Sequence, residues 1–304
     1  MPRFSIVMPC FNAATTLPET LASLRAQTFS DWELLCVDDG SSDATLDLIQ
    51  AEARRDTRVR VLRNPGKGPS AARNLALPEA RGDILAFCDA DDLWEPEKLA
   101  CLVAAFAEPS VAAVFAQVAF FDGTRSSSVS TVPAADLTVP MLLAENPVCT
   151  MSNLAVRREV FSQTGGFDTR LVHNEDLEWL IRLVATGHRV VGLDRCLVRY
   201  RTSVSGLSSD LGRMRAGRRA ALATAERFGF RADPRAEAIY CRYLARRALR
   251  VGAPGVEALR FVLTGLILSP VGFLSDLRRG GLTVAAALCA PVLPGCLRQF
   301  LFAG

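Results

Sequence analysis

Three carboxylates fall within four residues at Asp89-Ala-Asp91-Asp92. Carboxylates packed this closely repel one another unless a cation compensates them. Hard oxygen ligands suit magnesium or manganese, ions that usually share their coordination sphere with substrate phosphates. A plainer use of Asp92, as the cap of a helix running on through Pro96 and Lys98, accounts for one aspartate and leaves two over. A second acidic pair, Asp38-Asp39, can accept hydrogen bonds from ribose hydroxyls and a pyrimidine N–H. Alternatively Asp38, Asp39, Ser41 or Asp43 forms a turn and caps the next helix. Between the clusters lies Asn64-Pro-Gly-Lys-Gly-Pro-Ser-Ala-Ala-Arg-Asn74. A loop of this kind can lay backbone N–H groups on phosphate, with Arg73 adding a fork of donors. Its spacing matches neither a P-loop nor GxGxxG, so a surface turn with a solvated Arg is the alternative. Glu175-Asp176 opens an amphipathic helix, where acidic residues favour the helix dipole or supply a general base. The residues alone leave both roles open.

The elements that must position these groups alternate. Phe4 to Pro9 reads as a buried strand, and Leu17, Leu21 and Leu24 then recur at helical spacing. Trp32 to Val37 is a second strand, followed by a helix with Leu46 and Ile49 on one face. Val59 to Leu62 is a third strand, Ser70 to Leu77 a helix, and Asp83 to Cys88 a fourth strand. This order predicts a largely parallel sheet covered on both faces. Ligands sit at the carboxyl ends of such strands, where the acidic clusters fall. Further on, Val111 to Phe121 and Asn153 to Arg158 read as strands and Ser126 to Pro133 as a Ser/Thr-rich loop. Glu175 to Thr186 reads as a helix with Leu177, Leu180, Ile181 and Val184 inward and Gly187 as its stop. Val190 to Tyr200 reads as extended. After about Ser205 the chain turns to helices rich in Ala, Leu and Arg, which sets the expected domains at 1–205 and 206–304.

A chain of 304 residues, half of them apolar, can bury a core, and its net charge of +3 conceals an asymmetry. Residues 211–304 carry fifteen Arg, no Lys and five acids, a balance of +10 against −7 for the remainder. A basic tail of this kind seeks an anionic surface. The nine Cys are scattered with no CxxC, the pattern of free thiols in a reducing cytoplasm. The only early apolar run, Phe4 to Pro9, is too short for the apolar region of a signal peptide, so the active site is expected to face the cytoplasm.

Taken in order and spacing, these segments resemble the family 2 glycosyltransferases of GT-A fold, over roughly Phe4 to Ser209. The likeness rests on Ser5-Ile-Val-Met-Pro-Cys-Phe-Asn12, Gln27-Thr-Phe, Val37-Asp-Asp-Gly-Ser-Ser-Asp43, Ala72-Arg-Asn74 and Asp89-Ala-Asp-Asp-Leu-Trp94. Gly165-Gly-Phe-Asp168, Glu175-Asp176 and Tyr200-Arg201 complete it. The resemblance implies an α/β fold with a Rossmann-like, mostly parallel central sheet and a C-terminal helical region. It also implies inverting, metal-dependent transfer of a sugar from a nucleotide diphosphate-sugar to an acceptor hydroxyl. Only the basic, apolar tail favours a polysaccharide or lipid-linked acceptor, and with it cell-surface polysaccharide or glycolipid synthesis. Pro9, Asn12, Asp38 and Asp39 would line the nucleoside pocket and Arg73 would approach the nucleotide. In the DxD motif Asp91 would ligate Mn2+ or Mg2+, Asp89 would contact the nucleotide-sugar, and Asp92 would support both as a third metal-site carboxylate. Asp176 would be the catalytic base beside Glu175. The sequence departs from the pattern in one place. Many members carry a histidine shortly after the Tyr-Arg pair, whereas Tyr200-Arg-Thr-Ser-Val-Ser205 has none. Only His173 and His188 exist, and His188 reads as a surface residue at a helix end.

Two readings compete: a catalytically inactive homologue, and a module that binds an anionic surface. Nucleic acid is disfavoured as the partner because the Arg-rich run has few aromatics for base stacking. A membrane surface fits better. The uncharged stretches Phe261 to Ser275 and Gly280 to Leu297 are too short, or too broken by proline, to span a bilayer needing about 20 apolar residues. The expectation is therefore interfacial helices holding the protein on the inner face of the cell membrane, beside a carbohydrate or lipid-linked acceptor.

Overall fold

The computed structural model describes residues 1–122, 126–202 and 210–293, with backbone alone at 126 and 127. Two compact units emerge: Met1–Leu137 with Pro147–Arg201, and Thr138–Asn146 with the chain from Thr202 onward.

The first unit is built on a nine-stranded sheet. Its opening strands are β1 (Phe4–Cys10), β2 (Trp32–Asp38), β3 (Val59–Arg63) and β4 (Ile84–Phe87). Helices α1 (Leu17–Arg25), α2 (Thr45–Arg55) and α3 (Pro69–Ala76) connect them. Then come β5 (Leu93–Trp94), α4 (Lys98–Ala105), β6 (Val111–Phe121), β7 (Ser126–Val129) and β8 (Ala155–Arg157). The strand order is β3-β2-β1-β4-β8-β6, then β9 (Arg189–Arg201) and β5, with β7 beside β6. β1 pairs in parallel with β2 and β4, β2 with β3, and β6 with β9, while β8, β5 and β7 run antiparallel to their neighbours. Six of these strands therefore point one way. β1 and β2 are buried almost throughout, as expected of strands covered on both faces.

The register aligns the chemistry. Cys10 pairs with Asp38 and Asp38 with Arg63, so β1, β2 and β3 end level. The Cys88 N–H donates to the Val7 carbonyl (3.0 Å), which brings the end of β4 to the same edge.

Three local expectations differ from the structure. The Ser/Thr-rich stretch after Phe121 forms β7, because β6 outruns β8 and leaves ladder groups that Ser128 and Val129 satisfy. The strand expected from Asn153 begins later, after the 3-10 turn Met151–Asn153. Asp92 caps no helix: β5 intervenes, and α4 starts at Lys98 with Glu97 at its N-cap.

The second unit is helical: α5 (Val139–Ala144), α8 (Leu211–Arg227), α9 (Pro234–Arg250), α10 (Gly255–Leu268), α11 (Pro270–Phe273) and α12 (Leu277–Cys289). α6 (Val160–Thr164) and α7 (Glu175–Ala185) belong to the first unit. Asp210, Asp233 and Asp276 cap α8, α9 and α12 by accepting from Arg213, Ala236 and Arg279 N–H groups, each contact worth about 1 kcal/mol. Leu244, Ala245, Ala248, Ala258, Val262 and Phe273 lie in its core. Among the described residues no helix is long and apolar enough to cross a membrane.

Candidate active site

The ends of β1 and β2 and the loop after β3 make one polar lining. Asp39, buried, accepts from Asn64 Nδ2 (2.6 Å) and from the Gly68 N–H (2.9 Å), while its carbonyl accepts from Lys67 Nζ (2.7 Å). Gly68 has φ +91°, a backbone region that side chains rarely adopt, which lets the loop turn its N–H toward Asp39 before Pro69 starts α3. Asp38 accepts from the Gly40 and Ser41 N–H groups at 3.3 Å each. Asn12, at φ 47°, accepts from the Ser42 N–H (2.8 Å), and Pro9 stands half-buried opposite Val37. Pro9, Asn12, Asp38 and Asp39 thus share one edge. None of this cluster caps the next helix: α2 has Ala44 at its N-cap with no side-chain cap, and Asp43 instead forms a turn just ahead of it, accepting from both the Thr45 hydroxyl and its N–H.

Arg73 joins the other motifs. It projects from α3 with 3% exposure; Nη2 donates to Asp89 (2.8 Å) and Nη1 to Glu175 (2.9 Å). Burial alone would lower its pKa, but Asp89 and Glu175 together raise it. Its terminal nitrogens are therefore occupied by protein carboxylates, and its Nε is buried without a partner among the described residues. Asp176, next to Glu175 and half-buried, has its carboxyl pushed up to about 7, by burial first and then by the Glu175 charge.

The three DxD carboxylates take different surroundings. Asp89 is held at its backbone, where its N–H donates to Ser152 Oγ (2.9 Å). Asp91 opens to solvent, yet crowding by protein and then the Asp89 charge push its carboxyl up to about 6, with Arg201 opposing. Asp92 is fully buried and turned inward, accepting from the Arg201 N–H (3.0 Å) and the Thr150 hydroxyl (3.4 Å). Burial, then Asp91 and Asp89, hold its carboxyl well above the usual range. Asp92 thus braces the site, and Asp91 with Asp89 are the carboxylates facing its open side. Among the described residues no three His, Cys, Asp or Glu converge to hold a metal ion. Two crowded carboxylates, one of them open, still fit a hard cation that takes its remaining ligands from substrate phosphate.

Sequence reasoning missed the support beneath these groups. Ser152 holds Asp89, and its own carbonyl accepts from Lys98 Nζ (2.6 Å) and Trp94 Nε1 (2.9 Å). Lys98 is buried, and desolvation lowers its pKa to about 7 against the pull of Cys88 and Asp92. Arg201 ties β9 to the motif, with Nε on the Asp91 carbonyl (3.0 Å) and Nη2 on Glu19 (2.6 Å). Only Trp94 and Arg201 carried any signal, as members of motifs without a role.

Helix α7 is fixed to β4 by an aromatic cluster. Phe161 stacks on Trp179 (4.7 Å), and Phe167 meets both Trp179 (5.4 Å) and Phe87 (5.5 Å), each contact worth about 0.5–1.5 kcal/mol beyond its buried area. Asn74 exchanges two hydrogen bonds with Phe167 (2.7 and 2.8 Å). A Cβ on Gly166 would collide with the Asn74 amide, so only glycine admits this clamp. The Ala72-Arg-Asn and Gly-Gly-Phe-Asp motifs are thereby one structural unit that carries Glu175 and Asp176. Buried Trp179 and Leu183 add a second inward face to α7. His188 is half-buried with Nε2 enclosed and unpartnered among the described residues, rather than the surface residue expected. The Ser-rich stretch from Ser203 lies outside the described residues.

A sequence profile described as "Glycosyl transferase family 2" matches residues 5–165. The chain is 30% identical over 213 residues to the putative teichuronic acid biosynthesis glycosyltransferase TuaG of Bacillus subtilis, covering 69% of this chain and 82% of that one. It is 29% identical to the UDP-Glc:alpha-D-GlcNAc-diphosphoundecaprenol beta-1,3-glucosyltransferase WfgD of Escherichia coli, covering 68% and 79%. Its fold is similar to that of the mannosyltransferase PcManGT from Pyrobaculum calidifontis in complex with GDP-Man and Mn2+. That likeness has a TM-score of 0.63 at 20% identity and covers 98% of this chain and 87% of that one.

Proposed function

The chain belongs to glycosyl transferase family 2, and from that premise we propose that it inverts the anomeric centre of a nucleotide diphosphate-sugar while passing the sugar to an acceptor hydroxyl. The observation that carries this reading is Arg73, which gathers Asp89 and Glu175 around one guanidinium with Asp176 alongside. Asp176, pushed up to about 7, is poised near neutrality to take the acceptor proton as its oxygen attacks the anomeric carbon. Attack opposite the departing diphosphate turns an α-linked donor into a β-linked product. Asp91 and Asp89 would hold a divalent cation, Mn2+ or Mg2+. When bound, that ion supplies Lewis-acid stabilisation of the leaving group. Asp38, Asp39 and Asn12 offer acceptors to the nucleoside, and Pro9 a flat wall.

The similarity to TuaG and WfgD supports cell-surface polysaccharide or glycolipid synthesis with a carbohydrate or lipid-linked acceptor. The second unit supports a peripheral seat on the cytoplasmic face of the cell membrane. Ile267, Val271 and Leu282 stand 83%, 74% and 64% exposed on α10, α11 and α12. The exposed residues between 254 and 292 include Arg260 and Arg278, while the acids of this stretch, Glu257 and Asp276, are half-buried and Asp276 is paired with Arg279, a surface complementary to anionic lipid.

A panel of UDP-, GDP- and dTDP-sugars, with and without manganese, tests the reaction through donor hydrolysis and thermal stabilisation. One nucleotide series should respond, and more strongly with metal. A chain indifferent to every donor would refute the assignment.

A further inference from the structure

The second unit holds a concentration of arginines that its own acids do not neutralise. Arg242, Arg246 and Arg250 recur every fourth residue along α9 and so share one stripe. Arg242 is buried and fully used: it donates to the Phe273 carbonyl (3.1 Å) and Ser275 Oγ (3.1 Å) and pairs with Glu145 (3.4 Å). Those contacts seat the α11–α12 turn against the stripe, which brings up Arg279, itself paired to its own capping Asp276 (3.2 Å). Arg246 and Arg250 are half-buried, and among the described residues neither makes a hydrogen bond or an ion pair. Arg242 and Arg279 are thus matched by Glu145 and Asp276, while Arg246 and Arg250 are not, and Arg247 adds to the positive field on Arg250. Burial and then the neighbouring arginines pull both Arg246 and Arg250 below their ordinary pKa; Arg279 acts first on Arg246, and Arg246 itself on Arg250.

Arginine cannot escape this crowding by losing its proton within any physiological range. Half-burying like charges without a counter-ion is costly, whereas an oxyanion would take up their donors in charge-assisted hydrogen bonds. The planar forks match phosphate geometry, and a phosphate monoester carries about two negative charges near neutrality. We propose that Arg246 and Arg250, backed by Arg279, form a phosphate-binding site on the helical unit, separate in its residues from the acidic site of the first unit. The phosphate comes either from a membrane headgroup or from a soluble phosphate compound.

The test uses the full chain. Inorganic phosphate should raise the Tm of the wild type at constant ionic strength, and Arg246→Gln/Arg250→Gln should lose that rise while being at least as stable as the wild type without phosphate. Arg213→Gln/Arg219→Gln removes the same charge from exposed positions and should keep the rise. Vesicles of phosphatidylcholine with and without phosphatidic acid distinguish the sources. Loss of phosphatidic-acid-dependent flotation in the Arg246/Arg250 variant assigns the site to a headgroup, and loss of the soluble response alone assigns it to a free phosphate. Equal responses from both double variants, or a wild type indifferent to phosphate and phosphatidic acid alike, would overturn the site. Donor hydrolysis by the variant should match wild type, which keeps this outcome independent of the proposed transfer reaction.

Discussion

Arg73 and Glu175 stand 102 residues apart in sequence, yet a guanidinium nitrogen lies 2.9 Å from the carboxylate, and the same side chain holds Asp89. One buried cation therefore sets the separation between the acidic pair that opens α7 and the motif that ends β4. Lysine would keep the charge but can serve only one of the two carboxylates well. Arg73→Lys should lower kcat by roughly one to two orders of magnitude, a loss expected when reacting groups are misplaced by about 1 Å. Arg73→Ala should also cost stability, on the order of 3 kcal/mol, because two carboxylates lose a buried partner. Steady-state kinetics with urea unfolding checks both. Near-native kcat in the lysine variant would remove Arg73 from any positioning role.

Asp176 yields a pH prediction. Its carboxyl is raised to about 7, so the base is half-protonated near neutrality and kcat should climb with pH, levelling above that value. Asp176→Asn keeps the size but accepts no proton; turnover should fall by roughly two to four orders of magnitude and the limb near 7 should vanish. Stability moves the opposite way. The folded state holds this proton more tightly than the unfolded chain, so stability from this group is present at low pH and is lost as pH rises through about 7. The asparagine variant should therefore gain in Tm relative to wild type at pH 8 and gain less at pH 5. If Glu175→Gln is the inactive variant and Asp176→Asn turns over normally, the assignment within the pair is reversed.

Asp91 and Asp92 are neighbours with opposite surroundings, and their amide variants should separate accordingly. Asp91→Asn removes the open carboxylate and should abolish turnover together with the metal-dependent part of nucleotide affinity. Asp92 is buried with its carboxyl held toward the neutral form, so asparagine Oδ1 can still accept from the Arg201 N–H while its Nδ2 donates to the Thr150 hydroxyl oxygen in place of the bond Asp92 accepts there. Asp92→Asn should retain nucleotide affinity and most metal dependence, with turnover reduced about tenfold or less. Nucleotide titrations with and without manganese measure this, and equal damage from both changes would return Asp92 to the ligand set.

How much of this was legible in the sequence follows from range. β1 through β4 could be read because a strand buried on both faces must be predominantly apolar, as Phe4 to Met8 and Trp32 to Val37 are apart from Ser5 and Glu33, which bond each other across β1 and β2. The acidic clusters at strand ends could be read because their charge needs compensation that nearby sequence lacks. Long-range partners left no such trace. Nothing local to Ser152 announces that its hydroxyl will hold Asp89, sixty-three residues earlier, or that its carbonyl will be held by Lys98. Likewise Arg218 and Arg242 counted as basic surface in the sequence but are buried, Arg218 over Tyr240 (3.8 Å) and paired with Glu237. The charge of a tail is a sum over sequence, whereas attraction to a surface depends on which of those charges the fold leaves outward.

That distinction sharpens the membrane prediction. The arginines of α8 and α9 are partly spent inside the unit, so apolar contact on α10 to α12 must supply much of the binding. Ile267, Val271, Leu277, Leu282 and Leu288 are all exposed at helical or turn positions, and Asp276, the acid beside Leu277, is paired with Arg279. Burying five such side chains in an acyl boundary would contribute on the order of 10 kcal/mol before the entropy of docking is subtracted. Ile267→Asp/Val271→Asp/Leu282→Asp introduces three carboxylates where they touch solvent, and each should change stability by roughly 0.5 kcal/mol or less. Binding to vesicles should collapse for both anionic and neutral compositions, while hydrolysis of a soluble donor stays at the wild-type rate. Wild type should bind anionic vesicles better than neutral ones and lose that margin as salt shortens the reach of Arg260 and Arg278. Flotation of the triple variant alongside wild type decides the matter, because three charges driven into the acyl boundary cannot be tolerated if these faces make the contact. A triple variant that floats as well as wild type would show that the exposed faces of α10 to α12 are turned away from the membrane.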